Sequence, residues 1–239
     1  MSWICPIVTD IHDEDFNGVC RPSSILRYLQ IAANGQLHHE GPSNEEIRAL
    51  GKAFVLTAID VTQQRPVHTY ETLESESCGC VGRGFLFPRY YALRKGTELI
   101  AEGLGQFGLI DIETKALERY ESYPSRFTPM PLPAYRMKRF PLPHTDLMER
   151  VGTYTVTYGQ TDQNRHLNNT FYPDLFAGFL DMAGKWIPHF SIRFQKDAPL
   201  GEALTVYRTV LSDGSYGFRT VRSDGEINAE ASLTLQALS

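Results

Sequence analysis

Apolar and polar positions along the chain fall into two recurring textures. In the first half, "AFVLTAIDVT" (53–62), "TYETLES" (69–75), "GFLFPRYYALR" (84–94) and "ELIAEGLGQFGLIDI" (98–112) alternate and are rich in β-branched and aromatic residues, which predicts strands. In the second half, "FSIRFQ" (190–195), "ALTVYRTVL" (203–211), "SYGFRTVR" (215–222) and "INAEASLTLQA" (227–237) do the same. A segment of longer period precedes each set. Ile25, Leu29 and Ala32 in one, and Phe171, Leu175 and Phe179 in the other, lie three or four residues apart, as on one face of a helix. Ser23 and Ser24, or Asn168 and Asn169, offer acceptors for the first free N–H groups of these helices.

Each half therefore reads as a strand, a helix and several antiparallel strands. A long apolar helix buries its stripe by lying across one face of such a sheet, so an α+β layer is expected. Two copies in one chain would form an internal pseudo-dimer. Proline marks the division: six of the fourteen prolines fall in "YPSRFTPMPLPAYRMKRFPLP" (123–143), and proline breaks helices and sheet ladders alike. The expected organisation is an N-terminal unit over 1–122, a linker over 123–145 running along a surface, and a C-terminal unit over 146–239. The openings of the halves can be overlaid. With Asp15 set on Asp162, Asn17 falls on Asn164 and Val19 on His166.

Composition changes this picture little. The 239 residues are 42% hydrophobic and 21% charged, ordinary globular values. A net charge of −5 argues against nucleic acid as a partner. No apolar run has the length of a membrane span, and "MSWICPIVTDIHDED" lacks the basic start of a signal peptide. Four cysteines are too sparse for a disulfide scaffold, and the spacing in "CGC" (78–80) is neither a zinc-ribbon nor a thioredoxin spacing. Reduced thiols and a cytoplasmic location are expected. "GLGQFG" (103–108) fits G-x-G-x-x-G by letter but runs into a strand, so it has no helix N-terminus to cradle a phosphate. Its glycines are better explained by a sheet bending around a helix. "HHE" (38–40) points in three directions on a helix and reads as a solvated end. Nucleophile-elbow, zincin and Walker motifs are absent.

The segment "TDQNRHLNN" (161–169) carries the chemistry. An Asx turn and a helix cap account for one asparagine. Asp162, Asn164 and His166 remain, and their alternation predicts an extended segment with all three on one side. A neutral imidazole beside an amide and a carboxylate can exchange a proton near pH 7, and the adjoining helix start supplies N–H groups suited to a developing oxyanion.

The pattern D-x-N-x-H-x-N-N, met here by Asp162, Asn164, His166, Asn168 and Asn169, resembles the active-site segment of the acyl–acyl-carrier-protein thioesterases. Downstream, "FQKDAPLGE" (194–202) is similar to that family's Y-x-K-E-A-x-x-G-D. Asp197 takes the glutamate position one methylene short, Gly201 the glycine and Glu202 the last acid. The resemblance implies two tandem hot-dog domains, each an antiparallel sheet wrapped around a long helix. The first, with Val19 where the second has His166 and with Gln63 or Gln64 near the position of the acid, would be catalytically degenerate and form the acyl pocket. The implied activity is hydrolysis of fatty acyl thioesters on an acyl carrier protein, through its 4′-phosphopantetheine arm, with no metal or cofactor. Asp162, Asn164, His166 and Asp197 would be catalytic. Ile25, Leu26 and Leu29, with Asn168 and Asn169, would meet the substrate, and Arg136, Lys138 and Arg139 would dock the acidic carrier. Acyl-CoA hydrolysis by the same fold, hot-dog dehydration and non-catalytic acyl binding are the competing readings. A homodimer through edge strands stays open.

Overall fold

A computed structural model describes residues 2–238, and its strands pair in one continuous antiparallel sheet. In chain order the elements are β1 (Trp3–Val8), α1 (Pro22–Glu40), α2 (Asn44–Ala49), β2 (Lys52–Gln63), β3 (Thr72–Gly79), β4 (Phe87–Lys95), β5 (Glu98–Asp111) and the two-residue β6 (Leu117–Glu118). Then come β7 (Glu149–Thr155), α3 (Tyr172–Ala177), β8 (Lys185–Phe194), β9 (Ala203–Val210), β10 (Tyr216–Val221) and β11 (Ile227–Ala237). The sheet order is β1-β3-β4-β5-β2-β8-β11-β10-β9-β7. Read outward from its middle, the first half runs β2-β5-β4-β3-β1 and the second β8-β11-β10-β9-β7. The topology is the same twice, joined where β2 pairs antiparallel with β8, Ile59 opposite Ile192 and Val61 opposite Phe190.

The alternation that predicts the strands also explains how the sheet is filled. Ile59 and Val61 of β2, Tyr91 and Leu93 of β4, Phe190 and Ile192 of β8 and Phe218 of β10 point to the inner face. There they pack with Ile25, Leu26 and Leu29 of α1 in one cluster spanning both halves. Gly105 of β5 leaves the room that the Tyr91 ring needs: an added Cβ would stand 3.0 Å from that ring. At Gly103, two residues earlier, an added Cβ would stand closer still, 2.7 Å from the Asp60 carbonyl oxygen of β2. The "GLGQFG" glycines thus serve close packing.

The helices differ from expectation. α1 is longer than its periodicity indicates, whereas α3 has only six residues, preceded by a single 3-10 turn (Asn169–Phe171). Beyond Gly178, a weak helix former, the chain turns back toward β8. That return is fastened by Asn17 of the first half, which donates to the carbonyls of Met182 (2.8 Å) and Lys185 (3.1 Å) and accepts from the Gly184 N–H (2.9 Å). The cap of α1 also comes from the other half. Asp174 accepts the Ser23 N–H at 2.9 Å and the Ser23 hydroxyl, while Ser24 donates to the Asp13 carbonyl. Neither serine caps its own helix. Asn168 caps the 3-10 turn ahead of α3, accepting from Thr170 N at 3.0 Å, and α3 itself starts at Phe171 without a side-chain cap.

The proline-rich connector performs two tasks. Its first part, Tyr123–Phe127, packs over the first half, and the remainder crosses the sheet face opposite α1. There Asp60 of β2 is buried at the join between the halves. It accepts from the Tyr135 hydroxyl, from Lys138 N (2.9 Å) and from His189 Nε2 of β8 (3.1 Å). Burial pushes the Asp60 carboxyl up, but His189 and the other donors outweigh it and hold the group below its ordinary value of 3.8. Phe140, also buried, lies 4.0 Å beneath the Arg193 guanidinium.

Because Asp60 is depressed on folding, its contribution is complete above its unfolded pKa and fades as pH falls through the folded one. Asp60→Ala leaves Lys138 N and His189 Nε2 without this acceptor, while Tyr135 keeps Thr62, and is expected to cost about 3–5 kcal/mol in urea unfolding at pH 7. Unfolding of the native protein below pH 4 should show the same interaction failing, and the variant's stability should depend less on pH there.

Candidate functional site

The turn at 162–166 is built twice on the same principal bonds. Asp162 accepts from Asn164 N at 2.8 Å and from Asn164 Nδ2 at 3.3 Å, and Asp15 receives the same two bonds from Asn17 at the same distances. Asp162 N donates to His166 O and Asp15 N to Val19 O, both at 2.9 Å. The fourth residue is left-handed in each copy, Arg165 at φ 63° and Gly18 at φ 72°. The segment is therefore a tight Asx turn and not the extended run that its alternation predicts. Aspartate two residues ahead of an asparagine favours that turn because its carboxylate satisfies the backbone locally.

The turn brings His166 to the acid. Its Nε2 lies 3.0 Å from Asp197 Oδ2, and both side chains are partly exposed, at 37% and 52%. An antiparallel bridge from His166 to Pro199 and the bond from Leu167 N to Ala198 O (2.8 Å) fix the two segments side by side. Gly201 turns the chain just beyond with φ 87°, a left-handed value suited to glycine,. Arg222 braces Asp197 from the other side, donating to its carbonyl at 3.1 Å and to Oδ1 at 3.4 Å. Nδ1 of His166 donates to and accepts from no protein atom among the described residues.

In the first half the equivalent bond is Cys20 N to Val67 O, 2.7 Å. This sets Pro66, not Gln63 or Gln64, opposite Asp197. Gln63 is buried and donates instead to the Ile187 carbonyl. Val19 and Pro66 close over a void of only about 10 Å³. The first-half copy of the turn is packed shut.

A cavity of about 260 Å³ opens in the first half and reaches the second at Asp162, Asn168 and Asn169. Phe54, Phe87, Phe107, Tyr120, Tyr123 and Phe127 form an aromatic part of its wall, and polar side chains such as Gln30, Asn34 and Asn44 form another. Ile25, Leu26 and Leu29 do not line it. They are fully buried in the central cluster, because α1 turns that stripe to the sheet and gives the cavity Gln30, Ala33, Asn34 and Leu37 of its later turns. Among the expected substrate contacts, Asn168 and Asn169 do line the cavity, as does Asp162, whereas Asn164, His166 and Asp197 do not. The Asn169 N–H has no protein acceptor among the described residues. With α3 so short, that individual N–H matters more than a helix dipole.

Two groups of residues escaped the sequence reading. Tyr123 and Phe127 belong to the connector, whose prolines dominate its pattern, and Tyr120 stands just before it. Arg48 of α2 reaches across to donate to Asn164 Oδ1 at 2.6 Å. The helix that carries it was signalled by the capping box Ser43…Glu46, whose reciprocal bonds are made,. The basic residues of the connector are engaged or remote. Lys138 pairs with Asp213 at 2.6 Å, Arg136 donates to the carbonyls of Pro133 and Tyr135, and Arg139 is exposed on the same stretch, across the sheet from α1.

No family model matches the sequence, and no curated protein matches it. Solved structures do. An acyl-ACP thioesterase from Bacteroides thetaiotaomicron superposes with a TM-score of 0.87 at 15% identity, over 98% of this chain and 98% of its own. A 12:0-ACP thioesterase from Umbellularia californica superposes with a TM-score of 0.81 at 14% identity, over 99% of this chain and 97% of its own. The likeness establishes the fold: two tandem hot-dog domains in one chain.

Arg48→Ala should free Asn164 at little cost, since the contact is exposed, with a stability change within about 1 kcal/mol. Hydrogen exchange resolved to single amides is expected to show faster opening over Asp162–Leu167 and no change in β8.

Proposed function

We propose that this protein hydrolyses fatty acyl thioesters presented by an acyl carrier protein, releasing free acid and ending chain elongation. The contact of His166 with Asp197 at 3.0 Å, on a turn whose Asp162 and following Asn168 and Asn169 line a partly aromatic cavity, carries this reading. The first half provides the acyl pocket and the second the reacting groups, with residues 123–145 joining them.

Asp197 orients the imidazole through Nε2, and Nδ1 is left to take a proton from water. That water attacks the thioester carbon, forming the C–O bond. The oxyanion accepts from the Asn169 N–H. When the C–S bond breaks, the imidazolium returns its proton to the departing pantetheine thiolate. Asn164, held by Asp162 and Arg48, keeps the turn in place and has a second amide N–H for water or carbonyl. Asp162 acts as a positioning residue through its Asx bonds. Arg165 and Lys196, exposed on the segments that carry His166 and Asp197, supply the positive charge an acidic carrier would meet. They serve docking better than Arg136, Lys138 and Arg139.

His166→Ala and Asp197→Asn are each expected to lower kcat by about 10²–10⁴, with urea unfolding unchanged within about 1 kcal/mol. Full turnover in both variants would remove the site assignment. With acyl groups matched, kcat/KM should favour the carrier thioester over the CoA thioester. Lys196→Glu should raise KM for the carrier substrate while sparing kcat. An equal or reversed preference would support acyl-CoA as substrate, and tight acyl binding without thiol release would support a binding module.

A further inference from the structure

The cavity is not apolar throughout. Arg89 of β4 points into the interior beside Phe87 and Tyr91, buried to 6% exposure, and lines the cavity. Its Nη1 donates to Gln36 Oε1 (2.7 Å) and to Ser77 Oγ (3.1 Å). No carboxylate forms an ion pair with it among the described residues. Glu40 is reached only through the Gln36 amide, whose Nε2 donates to it at 2.8 Å. The Nε–Nη2 edge donates to no protein atom among the described residues, and the Phe127 ring lies 5.8 Å away. Two further groups of the same wall are unsatisfied: the hydroxyls of Tyr91 and Tyr123 are buried without a hydrogen-bond partner.

A buried cation with neutral partners alone is costly, since desolvation is not returned by an opposite charge. Burial accordingly holds the Arg89 pKa below its ordinary value. The unused edge of a guanidinium is a planar fork that fits a carboxylate with two parallel N–H···O bonds. Its place in the cavity matters as well. The second half reaches the cavity at Asp162, Asn168 and Asn169, on and just after the turn that carries His166, whereas Arg89 stands on β4 of the first half beside Phe87 and Phe127. The cation and the reacting turn therefore belong to different walls of one cavity.

We propose that the cavity accepts acyl chains bearing a carboxylate at their far end, with Arg89 as its fork and the Tyr91 and Tyr123 hydroxyls as additional donors. This rests on the thioesterase reading only for the group at the other end of the chain. The preferred substrate class is then the monothioester of a dicarboxylic acid, and the aromatic walls hold the methylenes between.

Two measurements test this separately from hydrolysis. In competition for a bound fluorescent fatty acid at pH 7, dodecanedioate is expected to bind about tenfold more tightly than dodecanoate, as a charge-assisted bidentate pair would provide. Arg89→Met should abolish the difference, and Arg89→Lys, which keeps the charge without the fork, should retain only part of it. The preference in the unaltered protein is read without any variant, so a misfolded Arg89→Met leaves the test intact. Equal or weaker binding of the dioate overturns the proposal, as does a 12-hydroxydodecanoate that competes equally well. In turnover, the ω-carboxyacyl thioester should exceed its plain counterpart about tenfold in kcat/KM. Cleavage of both at equal efficiency overturns the proposal and keeps the hydrolase. Dioate preference with no cleavage of either overturns the hydrolase and keeps the site.

Discussion

The pairing of β2 with β8 is the constraint on which the rest depends. It makes one sheet of two similar halves, so neither inner strand remains an open edge. It also places each half's helix region against the other half's loops. Ile59 facing Ile192 and Val61 facing Phe190 seal the inner side, while Asp60 gathers Tyr135, Lys138 and His189 on the outer side. A buried carboxylate at that seam specifies register as well as binding: sliding β8 by one residue would leave Asp60 facing the wrong side of its neighbour.

From this seam follows the unequal use of two equal turns. The Asp–Asn turn of each half reaches the segment before the partner's inner strand. In the first half Asn17 bonds the backbone at 182–185, and the space beneath is filled by Val19 and Pro66. In the second, Asn164 meets the Arg48 side chain, and the space beyond stays open into the aromatic cavity. The same contrast appears in the helices. α1 runs its full length over its sheet and lends later turns to the cavity wall, whereas α3 ends early and the chain folds back to be held by Asn17.

The sequence made most of the architecture readable, because alternation over long strands is a strong local signal: β5 and β11 match their predicted stretches to within a residue. The convergence of His166 with the acid at 197 was also legible as a pattern of letters. What was not legible depends on contacts distant in sequence. The apolar face of Ile25, Leu26 and Leu29 looks the same whether it meets a sheet or a ligand, and only the fold shows that it meets the sheet. Ser23 has the composition of a cap, yet Asp174 supplies the cap. The spacing of Asp162, Asn164 and His166 suits a strand, and the Asx bonds that bend it are invisible to periodicity. The tyrosines of the connector were masked by their prolines.

A symmetric dimer encoded once must accept every substitution in two places. Joining the copies in one polypeptide releases that requirement, and the paired turns show the result. Gly18 and Arg165 occupy the same left-handed position, one residue without a side chain and the other projecting a charge. Each member of such a pair is free to answer to a different demand, so one copy can harden into scaffold while its twin stays open to chemistry.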